Sequence, residues 1–162
     1  MPARIRWSLE LYPCDILFIH RDAENATLDQ RVSEIDTAVQ TARTNIPVPP
    51  TIPIVPVRML EAWFLFDISA IRRTAGNPSG AQALTLPPFA NLEDLPDPKD
   101  TLHNLLRGAS GLHGRRLKSF NPHSAFHLIP GFIEDFGRLR ALAAFQRLES
   151  DIRQTISSYR WA

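Results

Sequence analysis

The sequence predicts an α/β fold: a short, mostly parallel sheet flanked by helices, with a helical C-terminal part. Three observations predict it. The apolar run Ile16-Leu17-Phe18-Ile19 has the length and composition of a buried strand. A second run, Thr51-Ile-Pro-Ile-Val-Pro-Val57, is rich in β-branched residues, which fit a pleated surface. Between them, Leu28, Val32, Ile35, Val39 and Ala42 recur at the three- and four-residue spacing of an amphipathic helix. Strand, helix, strand in that order is the wiring of a parallel sheet.

The elements follow in chain order. Residues 3–12 read as a short amphipathic helix, with Ile5, Leu9 and Tyr12 on one face and Pro13 as its stop. The first strand spans 15–20. Thr27 with Gln30 makes a capping-box pattern that starts a helix over 28–44. Pro47-Val-Pro-Pro50 is an extended linker into the second strand, where Pro53 and Pro56 point to a short or edge strand. Residues 58–66 read as a helix that ends near Arg73 or Gly76. Residues 77–97 are rich in Pro, Gly, Asn and Ser and read as a long surface loop. Asp97 as N-cap and Pro98 at the first helical position open a helix that ends at Gly108, and a flexible turn follows to Gly114. Residues 117–130 carry no clear period. A last helix spans 138–157, with Leu142, Phe145, Leu148, Ile152 and Ile156 facing the core. The organisation is thus an α/β core over 1–76, a loop over 77–97, and a helical C-terminal part of the same domain over 98–162. Two strands are few for a stable sheet, which generally needs three or more.

Composition bounds the function classes. The 162 residues are 44% hydrophobic, enough for one domain with a real core. With 18 basic and 17 acidic residues the net charge is +1, so bulk charge does not mark a nucleic-acid binder. The single cysteine, Cys14, excludes a disulfide framework within the chain and a Cys-based zinc site, and reads as a small buried hydrophobe. No apolar run approaches the ~20 residues of a membrane span, and the N-terminus lacks the apolar core of a signal peptide. The expectation is a cytoplasmic protein with no membrane partner.

The residues that point to chemistry are Asp22 and Glu24, directly after the first strand. Ligands of open α/β sheets bind at the carboxyl ends of the strands. In extended chain, side chains at i and i+2 point the same way. Two carboxylates there are hard oxygen ligands, suited to Mg²⁺ or Mn²⁺. The bland reading is a loop whose acids satisfy amide donors near the Thr27 cap. His20-Arg21-Asp22 is not a kinase catalytic loop, because Thr27 stands where a kinase needs asparagine. Glu61 interrupts an apolar stretch among Leu60, Trp63, Phe64 and Leu65, where a charge must be paired or coordinating. An ion pair with Arg58 is the alternative to a metal role. Asp67 lies on another helix face and reads as that helix's end. In Arg115-Arg116-Leu117-Lys118, Arg116 and Lys118 suit phosphate oxygens, with Gly111 and Gly114 letting the backbone approach; a solvated loop is the alternative. The five histidines show no zinc spacing.

Three pieces carry a family resemblance: Asp15-Ile-Leu-Phe-Ile-His-Arg-Asp-Ala-Glu-Asn25, Pro56-Val-Arg-Met-Leu-Glu-Ala-Trp-Phe-Leu-Phe-Asp67, and Leu95-Pro-Asp-Pro-Lys-Asp-Thr-Leu102. In their order and spacing the chain resembles a family of uncharacterised prokaryotic proteins with Toprim-like domains. These are distant relatives of the nuclease half of the overcoming-lysogenisation-defect (OLD) proteins. The resemblance implies a Toprim fold and a Mg²⁺-dependent nuclease, or nuclease-like subunit, acting on phosphodiester bonds in defence against phage or mobile DNA. It implies metal ligation and catalysis by Asp22, Glu24 and Glu61, a catalytic role for Lys118, and nucleic acid and an ABC- or AAA-type ATPase as partners.

The chain departs from the family in one respect. A Toprim domain begins with a strand ending in a glutamate, often followed by glycine. No Glu-Gly stands here, and Glu10 lies on a helix before Pro13. The expectation is a chain that lacks its first strand–helix unit. The alternative function is therefore a non-catalytic subunit or remnant that binds a partner ATPase or self-associates. Trp63, Phe64 and Phe66 favour it, because one helix cannot turn all three to a single core. A small-molecule phosphotransferase, a third reading, has no glycine-rich phosphate loop behind it.

Overall fold

Thr27 ends an extended stretch and accepts a hydrogen bond at Oγ1 from the Gln30 amide (3.2 Å), while its own amide donates to Gln30 Oε1 (2.8 Å). This reciprocal cap starts a helix exactly where the periodicity placed it, at Leu28, and two of the four donors left over at a helix start are satisfied. In the computed structural model, which describes residues 1–159, the protein is mixed α/β with a two-stranded parallel sheet flanked by helices. The described residues divide into two compact units, residues 1–57 with 140–159, and residues 58–139. The last helix belongs with the first unit.

In the first unit, α1 (Pro2–Leu11) buries Ile5, and Tyr12 caps it with its side chain in solvent. Cys14 is exposed rather than buried, since the chain turns over the surface between Pro13 and the sheet. Strands β1 (Leu17–His20) and β2 (Thr51–Ile54) pair in parallel, Leu17 opposite Thr51 and Ile19 opposite Pro53. α2 (Leu28–Arg43) buries Ile35, Ala38, Val39 and Ala42. Leu17 and Ile19 pack against the core that these residues form with Ile5, Ala23 and Val55.

The second unit (58–139) begins with a 3₁₀ turn, Leu60–Phe64, and a separate helix α3 (Ile68–Thr74) where the periodicity suggested one helix. The break has a local cause. Asp67 does not end a helix; its Oδ1 accepts from the Ala70 amide (2.9 Å) and starts α3. The break also removes the conflict among aromatics: Trp63 and Phe64 are both buried, and Phe66 packs edge-on against Phe89 at 6.4 Å. After a 3₁₀ turn at Phe89–Asp94, α4 (Pro98–Ser110) is capped by Asp97 as expected and runs two residues beyond Gly108. It stops at Gly111, whose φ of +64° is the left-handed conformation that glycine adopts without strain. The unassigned stretch holds α5 (Gly114–Ser119), α6 (Pro122–Ala125) and a 3₁₀ turn, Phe126–Phe132. Leu65, Ile71, Leu92, Leu102, Leu106 and Ile129 form a core belonging to this unit.

Returning to the first unit, α7 (Ala143–Tyr159) packs on β2. Leu142 is buried, but Phe145, Leu148, Ile152 and Ile156 are half-covered, because a two-stranded sheet is too narrow to hide the whole stripe. Among the described residues no helix is long and apolar enough to cross a membrane.

Candidate functional site

β1 ends at His20, but the backbone stays tied to β2's extension. The Arg21 amide donates to Ile54 O (3.0 Å) and the Ala23 amide to Pro56 O (2.8 Å). Asp22 therefore sits, half-buried, just past the carboxyl end of a parallel strand. His20 Nε2 donates to its Oδ1 at 3.0 Å. The signal for this pair in the sequence is a His-x-Asp spacing at a strand end.

Glu24 does not extend that geometry. Its φ is +53°, the one left-handed non-glycine residue among those described, so the extended-chain argument for two acids on one side does not hold here. Its carboxylate is exposed and lies 3.9 Å from the Arg31 guanidinium. Arg31 holds the turn from α2: it donates to Ala23 O (3.2 Å) and pairs with Glu34 (2.9 Å), which also pairs with Arg21 (2.9 Å). A buried Ala23 and this charge network fix the strained residue in place.

Glu61, Arg116 and Lys118 belong to the second unit. Glu61 lies in the 3₁₀ turn at 9% exposure and makes no ion pair with Arg58 among the described residues. Its charge acts instead on His103 of α4, favouring that ring's protonation. Burial, followed by Arg107, Lys99 and His123, outweighs it and holds His103 below the usual histidine range. The His103 ring stands 6.2 Å from His123, which stands 5.9 Å from His127, centroid to centroid. Arg116 and Lys118 are exposed in the last turn of α5. Elsewhere, burial and then Asp94 raise the Glu93 carboxyl, and a fork of hydrogen bonds from Arg140 lowers that of Glu149.

The arrangement supplies hard oxygen donors, at Asp22 and Glu24 beside Arg21 and Arg31, and a separate buried acid at Glu61. Among the described residues, no three His, Cys, Asp or Glu side chains gather closely enough to hold a metal ion by themselves. A Mg²⁺ site does not require that, since the ion keeps several waters and takes one or two carboxylates plus substrate phosphate. The donor chemistry at Asp22 therefore fits Mg²⁺ or Mn²⁺. Compared with protein-family models, with curated proteins and with solved structures, the chain has no match.

Proposed function

We propose that the chain is a Toprim-like, divalent-cation-dependent nuclease or nuclease-like subunit acting on phosphodiester bonds. One observation carries this reading: a half-buried carboxylate, Asp22, oriented by His20 at the carboxyl end of a parallel strand. Asp22 would be the principal ligand of Mg²⁺ or Mn²⁺, with Glu24 as a second acid two residues on. When bound, the ion polarises a phosphate and activates water. The chain's own part there is to hold Asp22 through His20. Titration calorimetry with MgCl₂ and MnCl₂ tests it. Asp22→Ala is expected to weaken binding by at least about tenfold, no less than the loss of a group that only supports a ligand. Asp22→Asn, which keeps the shape, should do the same; unchanged affinity in both variants removes the cation site.

A second reading, a non-catalytic subunit that binds an ABC- or AAA-type ATPase or a further copy of itself, draws support from the sheet. β1 pairs on one side only among the described residues. Affinity capture from the native host checks it, and recovery of neither an ATPase nor a second copy counts against it.

A further inference from the structure

The two edges of the sheet differ in kind. Leu17, Arg21 and Ala23 all send their amides toward β2's side of the ladder. Alternation along a strand then turns the N–H and C=O of Phe18 the other way. On β2 the residues facing outward include Pro53, which has no N–H to offer, so that edge is blunted as protected edges commonly are. Among the described residues no strand pairs with the outer side of β1. Its outer side is a groove of about 620 Å³ between β1 and α1, lined by Arg4, Ile5, Ser8, Phe18 and Arg21 among others. Phe18, at 46% exposure, offers an apolar side chain there.

Charge narrows the occupant. Among the described residues no carboxylate lines the groove. Arg21 is committed to Glu34, but the Arg4 guanidinium makes no ion pair among the described residues. We propose that the β1 edge accepts an extended peptide segment of a partner protein, pairing main chain to main chain at Phe18 and placing a carboxylate against Arg4. Strand addition of this kind takes affinity from backbone hydrogen bonds and selectivity from side-chain positions. It would also give the sheet the third strand that such sheets generally need. The proposal rests on the partner-binding reading and is independent of the cation site.

The test is an NMR titration of the ¹⁵N-labelled chain with the acetylated, amidated peptide Val-Thr-Val-Thr-Val-Glu. The expected result is amide shifts centred on β1 and slowed hydrogen exchange at Phe18. A version N-methylated at alternate residues cannot complete the ladder and should bind at least about tenfold more weakly. Arg4→Glu, in the exposed first turn of α1 where an acid is favourable to the helix, should weaken binding about fivefold. The peptide ending in Lys should restore it. Equal binding of the N-methylated peptide, or shifts confined to other elements, overturns the proposal. So does a twelve-residue oligothymidylate that perturbs β1 more tightly than the peptide. A captured partner that leaves Phe18 exchange unchanged also overturns it, while leaving the partner-binding reading intact.

Discussion

His103 illustrates how one residue couples burial to pH. Its Nε2 is buried without a hydrogen-bond partner among the described residues, so the protonated ring has no acceptor among them to offset its lost hydration. Burial first, then the nearby cations Arg107 and Lys99 and the His123 ring, favour the neutral form, with Glu61 opposing. A histidine held lower in the folded state than its ordinary value of about 6.5 binds its proton more readily once unfolded. Stability from this group is complete above about pH 6.5 and is lost as pH falls through the lowered folded value. His103→Gln should therefore lose less stability than the parent between pH 7 and pH 5. Urea midpoints at several pH values check this, and parallel curves for the two proteins would refute it. Glu24 carries a different cost at the same scale, a left-handed backbone worth roughly 1–2 kcal/mol for a residue with a Cβ, held by the contacts of Arg31.

Among the elements, α2 depends most visibly on a local signal. Thr27 and Gln30 satisfy each other's amides, and Thr27→Ala removes one side of that exchange. The expected loss is about 1 kcal/mol, read as a lower urea midpoint with an unchanged slope. The box was legible because both partners lie within four residues and the geometry needs nothing distant. The same holds for Asp97 and Pro98 at the start of α4. The turn at Leu60–Phe64 was not legible: its apolar spacing satisfies a helix equally well, and only the capping choice of Asp67 decides where the chain breaks. At the candidate site, the strand and the position of Asp22 were readable from the apolar run. The left-handed turn at Glu24 was not, because Arg31, a residue of the next helix, imposes it together with the buried Ala23. Glu61 was legible as a costly charge, but its electrostatic influence on His103 depends on α4, far along the chain.

At the scale of the molecule, the chain leaves the sheet after β2, builds a second unit over 58–139, and returns with α7. The core of that second unit is drawn from within it: Leu65 and Ile71 meet Leu92, Leu102, Leu106 and Ile129, each at 1% exposure or less. Helices there also carry their own end signals, Asp67, Asp97 and Gly111. A segment with its own core and its own caps has what independent folding requires, and domains of 55–65 residues already fold alone. Excised residues 58–139 should therefore show helical circular dichroism and a single cooperative urea transition. Leu102→Ala in that fragment should lower its stability by about 2–5 kcal/mol, because the side chain is fully enclosed. A fragment that lacks a cooperative transition, or one indifferent to the loss of Leu102, would show that this core depends on the rest of the chain.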